Sequence, residues 1–286
     1  MGRLVYIDGI RYAPEEAKVS VFDRGFLYGD SVFETIRSYG GELYALHEHV
    51  ARLRRSADSV GIVVPVSDDV LAEEARAALR DAANEESYVR MMLTRGQGPV
   101  GLDPALASDP CRVVIVEPLQ PLAATMYQQG VKVHCVRTVR ASDAAHSAKI
   151  GNYLASALAL EKAKRVGAHE ALVVNSQGLV VEGTTSNIFA VAAGELVTPA
   201  LEDGILAGIT RQVVIEIAAK LEIPVRFQAL APDALARCEE LFITSSIREI
   251  LPVVQVDDKL VGDGTPGSLT HRLHAEFKRH VRRTDA

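Results

Sequence analysis

Pro118-Leu119-Gln120-Pro121-Leu122-Ala123-Ala124 divides the chain. Two prolines this close together remove backbone donors and fix φ, so no strand ladder runs on through them. The stretch predicts two domains: a smaller N-terminal α/β domain over 1–120, an interdomain linker at 121–126 and a larger C-terminal domain over 127–286. Upstream, Leu4 to Ile7, Asp8-Gly9 and Ile10 to Ala13 read as a hairpin, and Ser31 to Tyr39, Gly40-Gly41 and Glu42 to Tyr44 as another. A helix is expected from His47 to Val60, with Leu46, Val50, Leu53, Ala57 and Val60 on one face. Ser67 reads as the N-cap of a second helix through Ala83, followed by strands at Tyr88–Thr94 and Arg112–Val116.

Downstream, a strand at Val131–Arg137 precedes a loop at 141–148 rich in Ala, Ser, Asp and His, then a helix over 150–166 stopped by Gly167. Ala171–Asn175 and Leu179–Glu182 form a hairpin signal around Gln177-Gly178, and Ile188–Ala192 a strand. Ile209–Leu221 reads as a helix, Glu240–Thr244 and Pro252–Val256 as strands, and Leu269, Leu273, Phe277 and Val281 mark a last helix. Strands and helices mix without regular βαβ alternation, which indicates an α+β fold.

The chain has 286 residues, 48% of them hydrophobic and 24% charged, enough for a real core. A net charge of −6 and the absence of a basic stripe argue against nucleic acid. No apolar run is long enough to span a membrane, and the opening residues carry no apolar signal core, so a reducing cytoplasm is the expected location. Cys111, Cys135 and Cys238 are too few and scattered for a disulfide framework or a zinc site, and read as small core residues. No metal site is expected.

Four stretches carry chemistry. Ser147-Ala148-Lys149-Ile150-Gly151-Asn152-Tyr153 surrounds a lysine with small or apolar neighbours. Lys149 is either a surface charge or a partly buried amine whose neutral form is available to carbonyl carbon. Glu182 ends an apolar run and enters Gly183-Thr184-Thr185-Ser186-Asn187. It is either an ordinary strand end or a carboxylate facing a pyridine nitrogen, and the three hydroxyls either donate to a ligand or satisfy the turn. Gly208-Ile209-Thr210-Arg211 opens a helix and is either a plain N-cap or a phosphate site. Asp23-Arg24-Gly25-Phe26-Leu27-Tyr28-Gly29-Asp30-Ser31-Val32-Phe33-Glu34 is a loop whose aromatics suit a pocket wall.

Together with His49-Val50-Ala51-Arg52-Leu53 and Thr244-Ser245-Ser246-Ile247-Arg248-Glu249-Ile250, these stretches, in this order, resemble the fold-type IV pyridoxal-phosphate aminotransferases. That family contains branched-chain aminotransferases, D-amino-acid aminotransferases and aminodeoxychorismate lyases. The resemblance implies a two-domain fold-type IV architecture, pyridoxal 5′-phosphate bound between the domains, and a homodimer or higher homo-oligomer in which a second subunit lends a loop. It makes Lys149 the Schiff-base lysine and proton carrier, Glu182 the partner of the pyridine nitrogen and Arg52 the phosphate arginine. Ile209 and Thr210 become helix-start phosphate donors, Ser246 a further hydroxyl, and Leu206 a residue packed on the ring. Tyr153 becomes the partner of the ring hydroxyl, four residues after Lys149, where well-known branched-chain enzymes space it by five.

Within the family, D-specific enzymes carry an Arg-x-His pair shortly after a Thr-Arg-Gly segment, and Thr94-Arg95-Gly96 here is followed by none. The lyase pattern has arginines where Val100 and Asn152 stand. Branched-chain enzymes carry Tyr-x-Arg at the place of Tyr88-Val89-Arg90, and Phe33 also suits them. Tyr88 is then expected to hold the substrate carboxylate and Arg90 the second carboxylate of glutamate, unless both simply face one side of a strand. Ile247 and Arg248 are expected at the substrate, although a neighbouring acid is an equal partner for Arg248. The resemblance thus implies transfer of the amino group of branched-chain L-amino acids to 2-oxoglutarate, with a non-standard D-amino-acid aminotransferase or the lyase as alternatives.

Overall fold

The structure is a computed structural model that describes residues 2–138 and 148–284. The loop expected at 141–148 lies, Ala148 apart, outside the described residues. The chain forms two compact units. One holds the residues up to Gln120 and the described part of Ala144–Tyr153; the other begins at Pro121 and resumes at Leu154.

The first unit runs β1 (Leu4–Ile7), β2 (Ile10–Tyr12), α1 (Arg24–Tyr28), β3 (Ser31–Tyr39), β4 (Glu42–Leu43), α2 (Leu46–Ser59), α3 (Asp68–Ala82), β5 (Ser87–Thr94) and β6 (Arg112–Pro118). Its sheet has the order β2-β1-β6-β5-β3-β4 and every pairing is antiparallel. Asp8 and Gly9 both take positive φ in the β1–β2 turn, as a two-residue hairpin requires. Ser67 Oγ accepts from the Val70 amide and caps α3. Alternation along β3 sends Val32, Glu34 and Ile36 to one face and Phe33 and Thr35 to the other. The core joins Val32, Ile36, Val89, Met91 and Val114 to Val50 and Leu53 of α2 and to Leu71, Ala75 and Ala78 of α3. Alanines along α3 leave no bulk to hold it off the sheet. Burying Leu53 alone contributes roughly 2–3 kcal/mol. The strand expected to stop at Val116 continues to Pro118, whose Cα partner is Ser87, because a missing donor is tolerated where a ladder ends.

The second unit runs α4 (Ala124–Gln129), β7 (Val131–Arg137), α5 (Leu154–Arg165), β8 (Glu170–Val174), β9 (Val180–Gly183), β10 (Asn187–Ala192), β11 (Glu195–Thr198), α6 (Ile209–Lys220), β12 (Val225–Phe227), α7 (Pro232–Leu235), β13 (Glu240–Ser245), β14 (Glu249–Val256), β15 (Lys259–Leu260) and α8 (Ser268–Thr284). Its sheet has the order β12-β11-β10-β13-β14-β7-β8-β9, with β15 beside β14. The β14–β7 and β7–β8 pairs are parallel, and their core joins Val133, Leu172, Ile188, Ile243 and Leu251.

Three differences from the sequence reading have physical causes. The helix expected from residue 150 starts at Leu154, because residues 149–151 are instead bonded to β3: Ile150 bridges Val32, the Phe33 amide donates to the Lys149 carbonyl, and the Gly151 amide donates to the Ser31 carbonyl at 2.7 Å. The same bonds put this segment with the first unit, where the sequence had counted it with the C-terminal half. The β10–β11 hairpin turns on Ala193 and Gly194, both at positive φ, and alanine gives little warning of such a turn. Among the cysteines only Cys238 is fully buried. Burial, with Asp8 and Asp257 nearby, pushes the Cys111 and Cys135 thiols up to about 12, which leaves them unreactive.

Candidate functional site

In the first unit, Lys149 is fixed by its own backbone. Its carbonyl accepts from Phe33, and its amide donates to Ser56 Oγ of α2 at 3.1 Å. A Cβ added to Gly151 would fall 2.0 Å from Ser31 Oγ, so a side chain there would displace the Ser31 hydroxyl from beside the segment. The half-buried Lys149 side chain places Nζ 4.7 Å from the centroid of the Phe33 ring. Arg90 lies against the same ring, with Cζ at 3.8 Å, and Tyr153 meets it edge-on at 5.1 Å. Tyr88 and Arg90 are two apart on β5 and therefore share a face, opposite Arg37 and Thr35 of β3. Lys149, Phe33, Tyr88, Arg90 and Tyr153 thus lie in one unit and, for the most part, around one ring.

Arg52 lies on the opposite face of β3, and its Nε and Nη2 donate to the Glu34 carboxylate at 2.8 and 2.6 Å. His49, one turn earlier on α2, places Nδ1 2.7 Å from the same carboxylate. Since a carboxylate only accepts, Nδ1 carries the proton. All three side chains are buried. Burial alone would raise the Glu34 carboxyl, but the Arg52 charge and the hydrogen bonds of Arg52 and His49 override it and hold it at about 2. His49 is held below the usual imidazole range by burial, against the pull of Glu34 and with the help of the Arg52 and Lys149 charges.

In the second unit, Glu182 lies on β9 and its Oε2 accepts from the Leu206 amide at 2.8 Å and from Asn187 Nδ2 at 3.4 Å. Asn187 Nδ2 also donates to the Leu206 carbonyl at 2.9 Å. Gly208 caps α6 with no side chain of its own, and a Cβ there would sit 1.9 Å from Asn187 Oδ1. The first bond of that helix runs from Gln212 to Gly208, so the Ile209 and Thr210 amides precede it. Thr210 is buried. Ser246, Ile247 and Arg248 form the turn between β13 and β14. Just before it, the buried Thr244 hydroxyl has no hydrogen-bond partner among the described residues.

The hydroxyls of Thr184, Thr185 and Ser186 point to Glu170, a residue of β8 that is absent from the sequence-level set. Arg248 also ends on Glu170, with Nη1 at 2.6 Å, so of its two sequence-level partners the structure supplies the neighbouring acid. Glu34 and Glu170 are the residues that the sequence reading missed as site components. Both are carboxylates buried on strands of mostly buried residues, where a charge needs a partner. No local signal in the sequence marks either one, since their partners lie 18 and 78 positions away. Among the described residues no group of His, Cys, Asp and Glu could hold a metal ion. No helix among them is long and apolar enough to cross a membrane.

The family model for class IV amino-transferases matches residues 31–256, most of the chain. The chain belongs to the class IV aminotransferases. It is therefore an enzyme of amino-group transfer with the fold-type IV architecture, and this class uses pyridoxal phosphate. A Methanocaldococcus jannaschii protein, provisionally named a branched-chain-amino-acid aminotransferase, is 38% identical over 274 residues, 96% of this chain and 95% of its own. The D-alanine aminotransferase of Staphylococcus epidermidis is 30% identical over 284 residues, 97% of each. A branched-chain amino acid aminotransferase from T.th., solved with pyridoxamine 5′-phosphate, superposes with a TM-score of 0.93 at 30% identity, covering 98% of this chain and 94% of that one. The same enzyme has been solved complexed with N-(5′-phosphopyridoxyl)-L-glutamate.

Proposed function

We propose that this aminotransferase moves the amino group of branched-chain L-amino acids to 2-oxoglutarate, with Lys149 as the residue that holds pyridoxal phosphate. The donor set suits that cofactor. Carboxylate, amides, hydroxyls and guanidinium match a pyridine nitrogen and a phosphate, and the unpartnered Thr244 hydroxyl beside the Ser246 turn fits a site built around a polar ligand. When bound, pyridoxal phosphate supplies an aldehyde carbon that takes up an amino group and a ring that accepts electrons from the adjacent carbon.

Lys149 Nζ then binds the cofactor and carries the proton between the reacting carbons, and its doubly held backbone aims it. Glu182 keeps the pyridine nitrogen protonated, its carboxylate already oriented by Leu206 and Asn187. Arg52, the Ile209 and Thr210 amides and the Thr210 and Ser246 hydroxyls hold the phosphate. Tyr153 binds the ring hydroxyl, and Leu206 packs on the ring. Phe33, Tyr88, Arg90 and Ile247 face the substrate, and Arg90 takes the second carboxylate of glutamate.

One observation carries the assignment of 2-oxoglutarate as acceptor: Arg90 and Lys149 share the Phe33 ring at 3.8 and 4.7 Å. The amine that would bind the cofactor and a guanidinium for a distal carboxylate thus lie against one aromatic side chain. The solved glutamate adduct of a relative is consistent with this. The D-alanine aminotransferase relatives favour a second reading, a D-amino-acid aminotransferase. Assays of L-leucine and of D-alanine, each with 2-oxoglutarate, separate the two; activity with D-alanine alone would overturn the first. A second copy of the chain is the proposed partner. Phe26, Val100 and Leu102 of the first unit, 68%, 72% and 81% exposed, are the kind of surface that a homodimer covers. Light scattering of the purified protein at twice the monomer mass is the expected result.

A further inference from the structure

In the second unit, two turns adjoin or carry two of the groups assigned above to the cofactor, Glu182 and Ser246. The Gly183–Ser186 turn follows Glu182, and the Ser246–Arg248 turn begins with Ser246. Glu170 ties them together. Its carboxylate, 1% exposed, accepts from the hydroxyls of Thr184, Thr185 and Ser186 on one turn and from Arg248 Nη1 on the other. It also takes the Ala171 amide at 3.0 Å. Arg248 Nη2 donates to Thr185 Oγ1, so the guanidinium meets the first turn directly as well as through Glu170. A Cβ on Gly183 would fall 2.2 Å from Ser186 Oγ, so a side chain there would push that hydroxyl off its present position beside Glu170.

The second turn is pinned elsewhere as well. Tyr127 Oη donates to the Arg248 carbonyl at 3.1 Å, and the Arg248 amide donates to Ser245 Oγ at 3.2 Å. Glu249 sits at φ 56°, a conformation a glutamate rarely adopts, and its carboxylate is held by His274 Nε2 at 2.7 Å. Burial would raise the Glu170 carboxyl, but the Arg248 charge and the surrounding donors hold it below the usual range. Swinging Arg248 out to a substrate would leave the buried Glu170 carboxylate with its hydroxyl and amide donors but without its counter-charge, which favours the bracketed position.

We propose that Arg248 is a positioning residue: with Glu170 it brackets the Glu182 turn to the Ser246 turn, sets cofactor affinity through their spacing, and holds no substrate carboxylate. This rests on the reading that Glu182 and Ser246 hold pyridoxal phosphate. The test is titration of pyridoxal phosphate into the apoprotein of wild type, Arg248→Met, Arg248→Lys and Thr185→Val. KM for L-leucine and 2-oxoglutarate is then measured at saturating cofactor. The expected result is a rise in cofactor Kd of about tenfold in Arg248→Met, a smaller rise in Arg248→Lys and Thr185→Val, and substrate KM values within about twofold of wild type. A raised KM for 2-oxoglutarate with unchanged cofactor Kd would make Arg248 a substrate ligand. A lower melting temperature with Kd and KM both unchanged would make the bracket purely structural. Either overturns the proposal. Failure of wild type itself to take up cofactor would instead remove the underlying reading, and the bracket with it.

Discussion

Each unit contains an arginine that ends on a buried carboxylate, and the two pairs are built differently. Glu34 meets one guanidinium and one imidazole that burial keeps from charging readily, so nearly all its counter-charge comes from Arg52. Glu170 meets one guanidinium, three hydroxyls and an amide, so its stabilisation is spread over many donors. Arg52 is almost fully enclosed, whereas 18% of the Arg248 side chain is exposed. The first pair is a concentrated ion pair inside helix–strand packing; the second is a hydroxyl-lined bracket between turns. Removing one partner should therefore cost the first unit more.

The largest expected effect follows from that contrast. Arg52→Ala strands the Glu34 charge and should lower the unfolding free energy of the apoprotein by about 3–5 kcal/mol, read by urea denaturation. Arg248→Ala leaves Glu170 hydrogen-bonded and should cost about 1–2 kcal/mol. Equal losses would erase the distinction.

Acid sharpens the same comparison. The Glu34 carboxyl sits at about 2 when folded, against an ordinary value of 4.5. The stabilisation is therefore complete above about pH 4.5 and is lost as pH falls towards 2, on the order of 3 kcal/mol in all. His49 acts in the same direction from a higher pH. Its folded value is depressed, so the unfolded imidazole takes up a proton first and stability begins to fall below about 6.5. Unfolding free energies of wild type and Glu34→Gln, measured from pH 7 downwards, should converge as pH falls below 4.5. A constant difference would show that Glu34 does not titrate as the geometry requires.

The smallest expected effect concerns substrate and probes the other face of β3. Arg90→Met should raise KM for 2-oxoglutarate by about tenfold while leaving KM for L-leucine within about twofold, because only one of the two substrates carries a second carboxylate. Steady-state kinetics with both substrates varied decides it.

Local chemistry made much of the fold legible. Asp8-Gly9 and Gly40-Gly41 announce their hairpins, since few other residues accept paired positive φ. The leucine and valine spacing of α2 and the Ser67 cap of α3 also stand in the sequence. What local pattern could not show is pairing at a distance. Residues 149–151 have a sequence that leads into a helix, and bonds to Ser31 and Phe33, more than a hundred positions away, hold them off it. Glu34 finds Arg52 eighteen residues on and Glu170 finds Arg248 seventy-eight residues on, separations at which no periodicity carries information. Arg52 and Arg248 were both recognisable as candidate anion ligands from their motifs; the carboxylates that fix their planes were not.

The central claim is that Lys149 is the residue to which pyridoxal phosphate attaches. Reducing the purified holoenzyme with borohydride and mapping its peptides by mass spectrometry tests it most directly. The predicted result is a phosphopyridoxyl mass on the peptide containing Lys149, lost in Lys149→Ala; the same mass on any other lysine, or on none, would contradict the account.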